Sequence, residues 1–351
     1  MIATRTPFRI TLGGGGTDLP SFYSEHGGFI LAMGIDKYMY VIVNPTLIDQ
    51  KIRLHYTRSE TVDHVSELRH ELAREALRLQ GIQHGIEISS LADLPAGTGM
   101  GSSSCYLVGL LTALRHLRRD FIPLAQVAEE ACHIELEVLN KGIGKQDQYM
   151  AVFGGLTALD IARDGNVQVR SVAVGTGSFS TFLANAHLYY TGLRRDALEV
   201  LADQNAALRA HHPDKSRVTE SLLAIKALGY RFLAAVEAED YDAFGRLLHE
   251  HWCMKKQLSS KITLDHVDRL YETVRRDYGV LGGKIVGAGG GGFLMLYCPR
   301  DHRRLEEFMF AQGMPRLHYM LENEGSKVVS SLGSTPTRFA PLTAAKSAGL
   351  A

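Results

Sequence analysis

The chain has 351 residues, 45% of them hydrophobic, and its Lys+Arg and Asp+Glu totals are equal at 38, for a formal net charge of +0. That length suits two domains or one large α/β unit with a substantial core. A balanced charge argues against the basic footprint of a nucleic-acid binder or of a protein held on an anionic membrane surface.

Cys105, Cys132, Cys253 and Cys298 show neither paired nor finger spacing, so they read as buried or incidental thiols in a reducing cytosol. No stretch approaches the ~20 apolar residues of a membrane span. A cytoplasmic protein is expected.

In chain order, Phe8, Ile10 and Leu12 alternate with Arg9 and Thr11, a short strand that sets Arg9 on the face opposite the core. It runs into four glycines at 13–16, then Thr17 and Asp18. Strands are expected over 34–44 and 52–56, and residues 62–80 predict an amphipathic helix. A strand at 85–90 leads into Leu94-Pro-Ala-Gly-Thr-Gly-Met-Gly-Ser-Ser-Ser104. Glycines 97, 99 and 101 let the backbone curl closely round a ligand. The serines open a helix apolar at 107, 108, 110, 111, 114 and 117, whose free N–H groups and dipole favour a phosphate chain.

A helix over 124–139 follows, ending in a polar glycine-bearing turn at 140–148. Arg163-Asp-Gly-Asn166 reads as a hairpin turn between strands 156–162 and 167–174. Beyond a strand near 182–191 the chain reads as helical from about 195 to 280. A strand–turn–strand at 284–297, a helix at 301–312 and a strand near 325–331 close the fold, and 334–351 reads as a disordered tail.

Three glycine-rich segments, at 13–16, 97–101 and 287–292, look like walls of one site. Gly287-Ala-Gly-Gly-Gly-Gly292 satisfies G-x-G-x-x-G, but a β-run follows it where a dinucleotide fold needs a helix. No G-x-x-x-x-G-K-[ST] occurs, nor the H-R-D and D-F-G pair of protein kinases.

Pro-Phe-Arg-Ile-Thr-Leu-Gly-Gly-Gly-Gly-Thr-Asp18, the 94–104 segment and Lys-Ile-Val-Gly-Ala-Gly-Gly-Gly-Gly292 resemble, in order and spacing, the three motifs of the GHMP kinases. The resemblance implies an α+β, two-domain GHMP kinase fold. Its N-terminal ATP-binding domain, like domain 2 of ribosomal protein S5, would span 1–180, and a ferredoxin-like C-terminal domain 181–333. Within that family, the four glycines before Thr17-Asp18, Gly144-Lys-Gln-Asp-Gln-Tyr149 and Leu248-His-Glu-His-Trp-Cys-Met-Lys-Lys256 look like the bacterial D-glycero-D-manno-heptose 7-phosphate kinases. Those enzymes phosphorylate the anomeric oxygen on the way to nucleotide-activated heptose for surface polysaccharide, capsule or lipopolysaccharide.

The resemblance implies roles residue by residue. Asp147 is the catalytic aspartate, accepting the attacking hydroxyl's proton, and Arg9 steadies the charge developing on phosphate. Pro95, Gly97, Gly99, Met100, Gly101, Ser102, Ser103 and Ser104 hold the phosphates of ATP. Ser103 matches the Mg²⁺-contacting serine, a hard oxygen ligand, and Glu137 resembles the second Mg²⁺ ligand, with Glu135 close by as the other choice. Gly15, Gly16, Thr17 and Asp18 take the sugar, with Lys145, Gln146, Gly289, Gly290 and Arg194 as further substrate contacts. A second phosphate on the acceptor needs its own basic partner, either Arg194 with Arg195 or Lys255 with Lys256.

Two alternatives stand beside this reading. One is a kinase for an unphosphorylated sugar of the galactose or fucose type, although galactokinase's Glu-His is missing before Thr17-Asp18. The other is a catalytically silent regulator binding ATP and sugar, against which the presence of both Arg9 and Asp147 argues. The expected partners are a small sugar phosphate and ATP, without nucleic acid or membrane; a homo-oligomer is left open.

Overall fold

A computed structural model describes residues 1–193, 197–209, 211–259, 262–263 and 265–333. The expected tail at 334–351, and Arg194 with Arg195, lie outside the described residues. The chain opens with β1 (Ile2–Gly13), α1 (Pro20–His26), β2 (Gly28–Pro45), β3 (Ile52–His55), β4 (Ser59–Val62), α2 (Glu71–Leu79) and β5 (Ile86–Ala92). Helices α3 (Ser102–Arg118), α4 (Leu124–Cys132) and α5 (Gln146–Phe153) precede the hairpin β6 (Leu156–Ile161) and β7 (Val167–Ser171). Next come α6 (Thr176–Asn185), β8 (Ala186–Tyr190), α7 (Ala197–Ala207), α8 (Lys215–Glu237), α9 (Tyr241–Lys255) and α10 (Asp265–Asp277). The chain closes with β9 (Gly282–Ile285), β10 (Phe293–Tyr297), α11 (His302–Ala311), β11 (Arg316–Leu317) and β12 (Lys327–Ser331).

Two sheets result, and the α+β class expected from the sequence is the one observed. The larger sheet has the order β12-β1-β2-β5-β3-β4, with β6 on β2 and β7 on β6. β2 holds it together because its 18 residues pair β6 over their first part and β5 over their last, while β1 lies along most of their length. The smaller sheet is antiparallel, in the order β11-β8-β10-β9.

One core joins the sheets, carrying Ile10, Phe29 and Leu31 of the larger sheet together with Leu188, Phe293 and Met295 of the smaller. Helix α8 closes on β2 through Gly229, where a Cβ would lie 2.6 Å from Phe29 Cδ1. One turn on, Phe232 is fully buried, with its ring 4.7 Å from that of Phe244 on α9.

Several elements differ from expectation: α1 was not anticipated, and α5 begins at Gln146 inside the polar turn expected over 140–148. The helix expected over 62–80 is shorter, because Val62 pairs Ile52 in β4 and the chain then turns. The Glu60 carboxylate accepts from the backbone N–H of Arg69 at 2.7 Å and of His70 at 3.2 Å, and His70 caps α2. The helix expected over 124–139 is α-helical only to Cys132, and residues 133–138 form a π-helical turn. The strand expected from 182 begins at Ala186; before it, Phe179, Phe182 and Leu183 sit at helical spacing and are buried along α6. Finally, the expected 181–333 unit does not stay apart. β12 returns to pair antiparallel with β1 and so covers an edge that would otherwise expose unpaired N–H and C=O groups.

No described helix is long and apolar enough to cross a membrane. Phe232→Ala is expected to cost about 3–5 kcal/mol of stability, because the void opens between α8, α9 and the larger sheet. The fall in urea midpoint against the parent chain measures it.

Candidate active site

The strand, loop and helix starts of the larger sheet converge on a cavity of ≈ 590 Å³, whose far wall comes from α9 and the β9–β10 turn. Of the residues singled out in the sequence, Arg9, Gly15, Gly16, Asp18, Gly97, Gly99, Gly101, Ser102, Ser103, Gln146, Asp147 and Lys255 line it.

At its centre Arg9, only 4% exposed, reaches from β1 to the first turn of α5. Its Nε donates to Asp147 Oδ1 at 2.7 Å and its Nη2 lies 2.5 Å from the same oxygen. Its Nη1 donates to the Gly99 carbonyl at 2.6 Å, so one guanidinium fixes both the carboxylate and the glycine loop. Gly101 sits at φ +81 as the N-cap of α3, and a Cβ there would lie 3.2 Å from Asp147 Cγ. Glycine permits that conformation and that approach together.

Asp18 forms the second centre. Its Oδ2 accepts from Gln146 N at 3.1 Å, and its Oδ1 from Gly16 N at 3.2 Å and Gln146 Nε2 at 3.3 Å. Burial, and more weakly the charge of Asp147, push its carboxyl above the usual range against those donors. Thr11, two residues along β1 from Arg9 and thus on the same face, donates to Gln146 Oε1 at 2.6 Å.

The metal-ligand expectation changes. Glu137 faces out, its carboxylate on His133 at 2.7 Å and its side chain 72% exposed. Glu135 instead is fully buried beside the glycine loop, accepting from Ser103 Oγ at 3.0 Å, Ser104 Oγ at 2.5 Å and Gln148 Nε2 at 2.7 Å, with Lys141 Nζ 3.3 Å away. Glu135 continues the inward face that Ala128 and Ala131 set along α4, whereas Glu137 lies one turn beyond the exposed His133 on the outward face.

Ser103 and Glu135 supply two hard oxygen donors. That fits a Mg²⁺ ion bound by one carboxylate plus phosphate oxygens. Among the described residues no group of three His, Cys, Asp or Glu could hold a metal by itself.

Other expected contacts fall elsewhere. Thr17 is a buried pin, its hydroxyl donating to the Gly14 carbonyl at 2.8 Å and accepting from Phe29 N at 3.0 Å. Lys145 turns to Glu129 and the Gly165 carbonyl, in a neighbouring cleft. Pro95 lies exposed in the loop, Met100 is buried in the core, and Ser104 meets only the protein. Gly289 and Gly290 pack on Ile262, the latter donating to its carbonyl at 2.7 Å, so Gly287 and Ala288 reach the cavity in their place. A Cβ on Gly287 would stand 2.3 Å from the Gly99 carbonyl, so the third glycine segment seats directly on the second.

Lys141, Gln204, His251 and Lys284 also line the cavity and were not anticipated. Lys284 opens the third motif and was visible there; His251 lies within the 248–256 stretch that resembles the heptose phosphate kinases, where no role was assigned to it.

Comparison with known proteins follows the same lines. The GHMP kinases N terminal domain matches residues 63–155, and the GHMP kinases C terminal domain matches 232–313. A D-glycero-alpha-D-manno-heptose 7-phosphate kinase of Campylobacter jejuni is 26% identical over 310 residues, covering 84% of this chain and 89% of that protein. An L-fucokinase/L-fucose-1-P guanylyltransferase of Bacteroides fragilis is 28% identical over 83% of this chain but only 34% of its own length. Among solved structures, a D-glycero-D-manno-heptose 1-phosphate kinase of Bacteroides thetaiotaomicron superposes with a TM-score of 0.77 at 21% identity, covering 95% of this chain and 100% of that one. The chain therefore belongs to the GHMP kinase family and is a phosphotransferase with an alcohol group as acceptor, of the sugar kinase kind, using ATP as phosphate donor.

Proposed function

We propose that the chain is a cytoplasmic, Mg²⁺-dependent kinase for D-glycero-D-manno-heptose 7-phosphate. It would phosphorylate the anomeric hydroxyl to the 1,7-bisphosphate, in the supply of nucleotide-activated heptose for surface polysaccharide. The observation that carries this reading is the ion pair of buried Arg9 with Asp147, set between the glycine loop and Asp18. The relative of Campylobacter jejuni favours the heptose phosphate over a neutral sugar.

Both Arg9 contacts fall on Asp147 Oδ1, which leaves Oδ2 to accept the proton of an incoming hydroxyl. The new oxygen–phosphorus bond then forms as the bond to ADP breaks, and Arg9 with the N–H groups opening α3 stabilises the charge on the transferring group. Asp18 and Gln146 receive the sugar's other hydroxyls. Ser103 and Glu135 would hold Mg²⁺, whose charge offsets that of the phosphates.

ATP consumption against mannose, galactose, fucose, sedoheptulose 7-phosphate and D-glycero-D-manno-heptose 7-phosphate tests the substrate. Turnover confined to the heptose phosphate is expected; turnover of a neutral sugar in its place overturns the acceptor and keeps the chemistry.

Asp147→Asn is expected to lower kcat by about 10²–10⁴-fold with the fold intact by circular dichroism. Glu135→Gln is expected to raise the Mg²⁺ concentration giving half-maximal rate roughly ten- to hundredfold, while Glu137→Gln leaves it near the parent value. Titrating Mg²⁺ in the coupled ATPase assay reads both.

A further inference from the structure

The far wall of the cavity carries three basic side chains that the reaction as described does not use. His251 and Lys255 stand one turn apart on α9, and Lys284 lies on β9 beside them. All three are buried, at 1%, 7% and 2% exposure. Lys284 Nζ donates to the Leu12 carbonyl at 2.8 Å. Lys255 Nζ donates to the carbonyls of Ile285, at 3.2 Å, and Gly287. Among the described residues neither lysine has a carboxylate within ion-pair distance, and both ring nitrogens of His251 lack a hydrogen-bond partner.

A buried cation without a counter-charge is costly, and a buried polar atom without a partner is rare enough to need a reason. Of the two carboxylates that line the cavity among the described residues, Asp147 is already held by Arg9 and Asp18 by Gly16 and Gln146. Burial brings Lys255 down to about 7, helped by the Arg9 charge. Burial likewise depresses Lys284 and His251, and the neighbouring lysine charges push them further down. Buried bases pushed toward neutrality by burial and by the positive charges around them describe a place that a negative charge suits.

The Lys255–Lys256 pair singled out in the sequence also divides. Lys256 turns away to Asp268 at 3.3 Å and lies over the Trp252 ring, leaving Lys255 alone to face the cavity.

We propose that Lys255, His251 and Lys284 form a phosphate subsite that receives a phosphate-monoester dianion across the cavity from Asp18 and Asp147. Under the heptose 7-phosphate reading, on which this assignment to the acceptor rests, that dianion is the phosphate the sugar already carries. The same chemistry is offered by the terminal phosphate of ATP, because Lys255 anchors Gly287 and Gly287 seats on Gly99 of the nucleotide loop.

Steady-state kinetics on the full chain separate the two sources. Lys255→Gln is expected to raise KM for heptose 7-phosphate by roughly ten- to hundredfold, the loss of one or two charge-assisted hydrogen bonds, with KM for ATP little moved. Lys255→Arg is expected to recover part of that loss. A rise in KM for ATP instead, with the sugar KM steady, assigns the subsite to the nucleotide's terminal phosphate and overturns the acceptor assignment. Neither KM moving more than about twofold, in a variant with unchanged circular dichroism and melting temperature, overturns the subsite altogether.

If the parent chain does not turn over heptose 7-phosphate, the substrate reading fails on its own. Calorimetric titration with inorganic phosphate then still decides the subsite: weaker binding by Lys255→Gln than by the parent supports it, and equal binding overturns it.

Discussion

The contact on which the rest of the structure depends is the guanidinium of Arg9. It binds the Asp147 carboxylate through two nitrogens and the Gly99 carbonyl through the third. Three distant parts of the chain, a strand, a glycine loop and a helix start, are thereby held on one buried charge. Such a charge is tolerated only where its partners are well placed, because desolvation removes the water that would otherwise stabilise it. The geometry of β1, α3 and α5 must satisfy that condition at once, and the cavity is what remains between them.

The glycine segments make the same point through space rather than charge. Gly101 lets α3 begin within reach of Asp147, and Gly287 lets the β9–β10 turn rest on the Gly99 carbonyl. Gly144 does so at the sugar side, where a Cβ would stand 1.9 Å from Asp18 Oδ2. The absence of side chains there brings backbone and carboxylates close enough to share one small ligand volume. Electrostatics then divides that volume. The α3 end offers N–H groups and hydroxyls, the middle carries an ion pair and a buried carboxyl, and the α9 wall carries bases without counter-charge.

Much of the fold was legible in the sequence where one local rule governed. The alternation of Phe8, Ile10 and Leu12, the hairpin at 163–166 and the apolar period after Ser104 each appeared as read. Misreadings came where a side-chain contact or a change of winding overrode the local period. Glu60 took the backbone N–H groups of Arg69 and His70 and so delayed a helix whose periodicity began earlier. A helix-like pattern across 124–139 hid a π turn, because widening a helix by one hydrogen-bond step leaves composition unchanged.

The sequence by itself determined the chemistry on offer: three glycine segments in order, Arg9 on the strand face away from Phe8 and Ile10, Asp147 within a polar stretch, and a neutral overall charge. Those are properties of residue type and short-range spacing. Which carboxylate meets Ser103, which lysine of 255 and 256 faces the cavity, and that β12 closes the edge of β1 were decided only by the tertiary structure. Each depends on the rotation of one element against another far along the chain, and a one-residue change in winding turns a side chain from the site to solvent.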